Sequence, residues 1–447
     1  MARVRTVFVC QNCGAVSPKW LGRCPACRSW ESLVEEASPE PASAKAADQA
    51  TVIPLPQAAA RLEARTPTGI AELDRVLGGG LVEGMVVLVG GEPGIGKSTL
   101  MLQLASSLGD AGLQVLYVSA EESSRQVGLR SERLGAGSDR VSLMPETSLE
   151  AVMRVVGEQD FTAVVVDSIQ AVRAADLSGA PGSVGQVRHC SAELASAAKK
   201  TGAAFFLVGH LTKEGSLAGP RMLEHLVDTV LYFESEPAMR LRLLRAVKNR
   251  FGATDEVGVF EMTGKGLSAV TNPSGVFLAH RPQGAPGSAV CAAVSGTRPL
   301  LVEIQALVSP SGLAMPRRQA LGVDPGRLHM LSAVLGIHAG LDLSGHDIFV
   351  NVAGGIKLNE PAADLAVAAA VASSLKSHPI PAEAVCFGEV GLAGELRAVS
   401  RLEARLSESS RQGFSMALTA PVPALKKPAL RIMQAGRLDQ ALDLLLA

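Results

Sequence analysis

The chain has 447 residues, 47% hydrophobic and 19% charged, with a formal net charge of −1. That length exceeds one ordinary hydrophobic core and calls for two domains plus a small module. The near-neutral balance excludes a global basic field, so any polyanion must be held by local Lys and Arg loops. Only 3% of the residues are aromatic, so the core must be built from Val, Leu, Ile and Ala, as in parallel α/β sheets.

No segment reaches the roughly 18 apolar residues of a bilayer span, and the start MARVRTVFVCQNCG lacks the apolar stretch of a secretory signal. The expected compartment is the cytoplasm, with no membrane partner. Thiols stay reduced there, so the seven cysteines read as metal ligands or buried thiols rather than disulfides.

In chain order, residues 1–35 come first. Cys10-Gln11-Asn12-Cys13 and Cys24-Pro25-Ala26-Cys27 are two C-x-x-C pairs separated by ten residues. Each pair can wrap a tight turn that aims two thiolates at one ion, and Gly14 and Pro25 suit those turns. Together Cys10, Cys13, Cys24 and Cys27 complete a closed tetrahedral shell for a structural zinc ion (Zn2+). A redox pair would open a helix after a strand, a context absent here. Cys190, Cys291 and Cys386 stand alone among apolar residues and read as small core side chains. Residues 36–62, rich in Ala and Pro without periodicity, read as a linker.

From 63 to 272, apolar runs (GMVVLVGG, LQVLYVSA, TAVVVDSI, GAAFFLVGH, DTVLYFES) alternate with helix-length segments, which argues for a parallel sheet covered on both faces. The first run leads into Gly91-Glu92-Pro93-Gly94-Ile95-Gly96-Lys97-Ser98-Thr99, followed by the amphipathic stretch TLMLQLASSLGD. This is the strand–loop–helix context of a phosphate-binding loop. Its glycines let backbone N–H groups converge on the phosphates of ATP. Lys97 reaches the β- and γ-phosphates, and Ser98 ligates Mg2+. Asp167 ends the strand of FTAVVVDSIQ and completes the metal shell. Glu121 and Glu122 follow the strand LQVLYVS at the same sheet edge. Glu121 is chosen as the residue that activates water, although sequence alone does not separate it from Glu122.

These residues resemble a known group. The run TGIAELDRVLGGGLVEGMVVLVGGEPGIGKSTL is similar to the RecA/KaiC branch of P-loop ATPases. The cysteine module, GHLTKEGSLAGPRMLEHLVDTVLYFE and Lys248-Asn249-Arg250-Phe251-Gly252 narrow the resemblance to the RadA (Sms) family of bacterial DNA repair proteins. The resemblance implies homohexameric rings and DNA-stimulated ATP hydrolysis. It also implies binding of single-stranded and branched DNA, branch migration in recombinational repair, and partnership with the RecA recombinase. It places a DNA-facing loop at roughly 171–188, with Arg173, Gln186 and Arg188. A second loop begins near Lys213, and His210 takes the place of the γ-phosphate sensor. Lys248 and Arg250 lie at a subunit boundary, acting on the phosphate, on DNA, or on both. A KaiC-like ATPase acting on protein and a passive ATP-gated binder are the competing readings. They are disfavoured by the single ATPase domain with its cysteines and by the complete phosphate-site set.

After residue 272 the pattern changes to strands such as GSAVCAAVS and HDIFVNVAGG and the helical run PAADLAVAAAVASSL. Residues 273–447 resemble the Lon-type proteolytic domain. Ala362 occupies the nucleophile position of that domain, and its base position falls at about Glu403. A serine–lysine dyad needs a hydroxyl and a neutralisable amine, so the domain is expected to be an inactive scaffold, with Arg317 and Arg318 as candidate DNA contacts. The expected class is α/β: a zinc ribbon-like module, a RecA-like P-loop ATPase domain and a Lon-protease-like domain.

Overall fold

The computed structural model describes residues 6–10, 15–26, 28–37, 65–177, 179–210, 223–236, 241–254, 256–422 and 430–446. The chain divides into two compact units, Met1–Val270 and Thr271–Ala447. No helix among the described residues is long and apolar enough to cross a membrane.

At the start, β1 (Thr6–Cys10), β2 (Val16–Ser17) and β3 (Leu33–Ala37) pair antiparallel in the order β2-β1-β3. Cys10 and Cys24 are buried with Leu33 in a small cluster that Phe8 and Ala15 flank. Beyond Ala37, the stretch read as a linker lies outside the described residues.

The nine-stranded sheet begins with β4 (Val86–Gly91), β5 (Val115–Ser119), β6 (Val141–Pro145), β7 (Ala163–Asp167) and β8 (Ala204–His210). It continues with β9 (Thr229–Glu236), β10 (Leu241–Asn249), β11 (Val257–Thr263) and β12 (Gly266–Ala269). Its order is β12-β11-β10-β9-β4-β8-β7-β5-β6. The strands from β9 to β6 run parallel, and β10 to β12 return antiparallel.

Successive side chains of a strand face opposite ways. Val87 and Val89 therefore pack with α1 (Ala71–Leu77) and α2 (Lys97–Asp110), while Val86 and Leu88 pack with α4 (Leu149–Glu158) and α5 (Val184–Thr201). Between them, α3 (Ser124–Leu134) starts at a capping box in which Ser123 and Gln126 satisfy each other's backbone N–H groups.

All five strand runs expected here are strands. β6 and the β10–β12 meander carry no such apolar run in the sequence. In β6 four of the five side chains are Val, Ser, Leu and Met, none of them buried, and β10 alternates charged and apolar residues, so neither reads as a buried parallel strand.

The second unit opens with α6 (Pro273–Leu278). Its seven-stranded sheet comprises β13 (Ser288–Ser295), β14 (Arg298–Pro310), β15 (Arg318–Leu321), β16 (His346–Val352), β17 (Ala384–Cys386), β20 (Met416–Thr419) and β21 (Arg431–Gln434). The order is β15-β16-β14-β13-β17-β20-β21, and β18 (Glu389–Val390) with β19 (Leu396–Arg397) forms a separate ribbon. Its helices are α7 (Pro325–His338), α8 (Asp364–Lys376), α9 (Leu402–Arg411) and α10 (Leu438–Leu446). In α8 the residues from Asp364 to Ser373 are all buried. Five of them are alanines, which let helix and sheet backbones approach closely. Cys190, Cys291 and Cys386 are buried thiols, as expected. Burial pushes Cys190 up to about 11 and Cys386 up to about 12, so both stay protonated.

The fully buried guanidinium of Arg405 ties this unit together. It donates to both carboxylate oxygens of Glu360, at 2.9 and 2.6 Å, and to the carbonyl oxygens of Ala292 and Ser400. Removing one partner of such a pair leaves the other uncompensated and costs about 3–5 kcal/mol. Arg405→Met is expected to lower the unfolding free energy of the C-terminal unit by that order, read as a lower urea midpoint at unchanged slope, while leaving the transition of Met1–Val270 in place. An unchanged midpoint would contradict the account.

Candidate nucleotide site and its surroundings

The phosphate loop leaves β4 at Gly91 and enters α2 at Lys97. Gly91 and Gly96 have φ of 155° and 118°. A methyl group at Gly91 would lie 2.8 Å from the Phe233 carbonyl oxygen, and one at Gly96 would lie 2.9 Å from the Met262 side chain. The loop is therefore pressed onto β9 and β11 with room only for glycine. Pro93 and Gly94 form its exposed tip, Glu92 is half-buried, Ile95 is buried, and Ser98 and Thr99 are half-buried on the first helical turn.

Lys97 is 4% exposed. Its Nζ donates to the carbonyl oxygens of Gly91, at 2.8 Å, and Glu92, at 2.9 Å. Burial lowers its pKa, and the charges of Asp167 and Glu121 oppose that shift. Asp167 ends β7, which β8 separates from β4. With strands about 4.8 Å apart, the ends of β4 and β7 lie roughly 10 Å apart along the same sheet edge.

Several contacts here were not legible in the sequence. Tyr117 Oη, buried in β5, donates to Asp167 Oδ2 at 2.7 Å. Burial and the Asp167 charge hold that phenol well above its ordinary pKa, so it stays protonated and donates. Ser168 Oγ donates to Glu121 Oε1. Arg242, from β10, donates its Nε to the Ile95 carbonyl oxygen at 3.1 Å and braces the loop. Each links elements far apart in the chain, so no local motif announces it. The two glutamates also differ. Glu121 faces Lys97 and Ser168, whereas Glu122 accepts two hydrogen bonds from Arg130, at 2.7 and 2.6 Å.

The backbone of His210 closes β8 opposite Gly91. Its side chain, and Lys213 beyond it, lie outside the described residues. The loop after Asp167 is shorter than the sequence suggested, because α5 already starts at Val184. Gln186 is buried and holds the loop from within, through Ala174 N–H, the Ala174 carbonyl and the Leu177 carbonyl at 2.9, 3.1 and 2.8 Å. It is an anchor rather than a DNA-facing group. Arg173 is exposed in the loop, and Arg188 is exposed on α5.

Lys248 and Arg250 are not brought to this phosphate loop. β10 runs antiparallel to β9, so Asn249 pairs with Thr229, which itself lies beside Val87 at the opposite end of β4 from Gly91. Lys248 Nζ donates to the carbonyl oxygens of Glu224 and Val227. Arg250 pairs with Asp228 at 3.1 Å and is more than half exposed. Asn249 bonds Val76 and Thr229, and Gly252 packs against Gly78.

In the small ribbon, Cys10 and Cys24 each close a tight turn. Cys10 N–H donates to the Ala15 carbonyl and Cys24 N–H to the Ser29 carbonyl, both at 2.9 Å. Cys13 and Cys27 lie outside the described residues. In the second unit Ala362 is buried and Glu403 is exposed on α9. Asp364 is held by Arg327 and by the Val390 N–H. Arg318 is taken up by the carbonyls of Leu343 and His346, which leaves Arg317 as the exposed member of that pair.

Gly96→Ala is expected to abolish retention of a fluorescent ATP analogue while the circular dichroism spectrum stays that of the parent. Retention at the parental level would contradict the packing described for the loop.

Three family profiles match the chain. One described as AAA domain covers residues 54–216, one described as Rubredoxin metal binding domain covers 8–35, and one described as Subunit ChlI of Mg-chelatase covers 329–422. Among curated proteins, DNA repair protein RadA of Halalkalibacterium halodurans is 50% identical over 93% of this chain and 92% of its own length. That of Bacillus subtilis is likewise 50% identical, over 93% and 92%. That of Pseudomonas aeruginosa is 50% identical over 100% of both chains. An α/β chain with a zinc ribbon, a RecA-like P-loop ATPase domain and a Lon-like C-terminal domain, similar to these proteins over almost its whole length, belongs to the RadA family of DNA repair proteins.

Proposed function

We propose that this protein is a DNA-dependent ATPase that assembles as a ring, binds single-stranded DNA and drives branch migration during recombinational repair. The observation that carries the reading is the buried Lys97 on the loop carbonyls, within the field of the Asp167 and Glu121 carboxylates. An incoming γ-phosphate offers Lys97 stronger, charged acceptors than Gly91 and Glu92 do.

The hydroxyl of Ser98 and the carboxylate of Asp167 form an all-oxygen donor set that fits Mg2+, and Tyr117 fixes the orientation of that carboxylate. The cation would neutralise charge developing on the phosphates. Glu121, oriented by Ser168, is placed to accept the proton of the attacking water. Glu122 is already satisfied by Arg130, which supports the choice of Glu121. The sequence boundaries 1–35, 63–272 and 273–447 are proposed as the functional domains. In the first of them Cys10, Cys13, Cys24 and Cys27 would hold zinc as a structural ion.

Lys248 and Arg250 support the ring. They lie at the sheet edge opposite their own phosphate loop, so they reach a nucleotide only across a boundary between copies. There an inserted guanidinium would stabilise the transferring phosphoryl group. DNA contact is proposed for Arg173 and Arg188 and for the segment around Lys213, with His210 as the sensor between phosphate and DNA. The Lon-like unit is proposed as a scaffold without peptidase activity, because Ala362 carries no nucleophile and Glu403 is no amine. The RecA recombinase is the partner that family membership suggests.

Two measurements test this. Glu121→Gln is expected to reduce the steady-state rate of ATP hydrolysis by about 10²–10⁴-fold, whereas Glu122→Gln retains most of it; the reverse order would move the base to Glu122. On a three-stranded DNA junction, the protein with ATP is expected to extend the heteroduplex, and Lys97→Ala to leave the junction unmoved. Migration by Lys97→Ala would separate the phosphate site from the work.

A further inference from the structure

The chain has two tryptophans, and both stand on the small ribbon, on either side of the second cysteine pair. A tryptophan is ordinarily buried for most of its surface, yet Trp20 is 58% and Trp30 72% exposed. The two rings flank one spot. A methyl group placed on Gly22 would lie 3.8 Å from the Trp20 ring and 3.9 Å from the Trp30 ring. The Arg23 guanidinium lies over the Trp30 ring, 5.6 Å from its centroid. It is held there by a 2.8 Å hydrogen bond from Nε to the Arg28 carbonyl. Leu21 is also exposed between them.

The charge between the two rings has one sign, and the exposed Glu31 follows Trp30. From Ala15 to Trp30 the sequence carries Lys19, Arg23 and Arg28 and no carboxylate, and all three cations are exposed. Two exposed indoles with an ordered guanidinium among cations match the chemistry of single-stranded nucleic acid. Bases stack on the rings, and phosphates meet Lys and Arg. A paired duplex hides its base faces and offers only phosphates.

We infer that the Trp20–Trp30 face of the ribbon is a stacking platform for the bases of single-stranded DNA. It rests on the DNA-binding reading and deepens it, by placing base contact on the ribbon and leaving backbone contact to the ATPase loops, whose sequences at 171–188 and 211–222 carry no aromatic residue.

The tryptophans report on their own surface. Full-length zinc-loaded protein is titrated with oligo-dT, reading intrinsic fluorescence and, separately, retention of the strand on a filter. Quenching that saturates together with retention is expected. Trp20→Ala and Trp30→Ala are each expected to weaken retention by at least about fivefold, while Trp30→Phe recovers most of it. Zinc content and ATP turnover without DNA should stay parental in all three, which separates lost stacking from a collapsed ribbon. Parental retention by the alanine variants, or fluorescence unmoved by a strand the filter shows to be bound, overturns the platform and leaves the DNA-binding reading standing. Equal quenching by a duplex of the same length also overturns it. So does quenching by purified RecA protein but not by DNA, which would make the face a protein-docking surface. No retention of any strand by the parent protein removes the broader reading and the platform with it.

Discussion

A buried ammonium sets the terms for the rest of this molecule. Lys97 is almost wholly withdrawn from water, and burial penalises its charge. Carbonyl oxygens at hydrogen-bond distance and the field of two carboxylates oppose that penalty. The surrounding structure serves that arrangement. Glycines bring the loop carbonyls to Nζ, Arg242 holds the loop from the side, and the order β4-β8-β7-β5 puts one strand between the loop and Asp167 and carries Glu121 beyond it. Triphosphate oxygens replace weak neutral acceptors with charged ones, so binding relieves a cost already built into the fold.

The same economy of buried charge appears in the second unit. At the position where a protease of this fold carries its nucleophile there is a methyl group. The neighbouring carboxylates, Glu360 and Asp364, are neutralised by Arg405 and Arg327. Charges tied in this way fasten the elements of the unit to one another.

What the sequence made legible depended on distance along the chain. The phosphate loop and the cysteine pairs are each contiguous, so residue type and local spacing identify them. The five strand runs were visible because parallel strands buried on both faces are continuously apolar. The partners of Asp167 and Glu121 were not visible. Tyr117 reads as one more core residue of an apolar run, and only the pairing of β5 with β7 aims its hydroxyl at Asp167. Glu121 and Glu122 are neighbours of identical chemistry, and a turn of α3 is needed to bring Arg130 to the second. Lys248 and Arg250 were recognised as cations of a motif. Their place at the edge opposite the phosphate loop follows from the antiparallel return of β10, which no spacing announces. Gln186 falls within the loop that the resemblance assigns to DNA, and only the hydrogen bonds of the folded chain make it the buried peg of that loop.

The central claim is that cleavage at Lys97 is coupled to a bound polynucleotide. The most direct test is inorganic phosphate released from ATP by the full-length protein, with and without single-stranded DNA. The account predicts a severalfold faster release with the strand present, lost when Arg250 is replaced by alanine. One identical rate at every DNA concentration would contradict it.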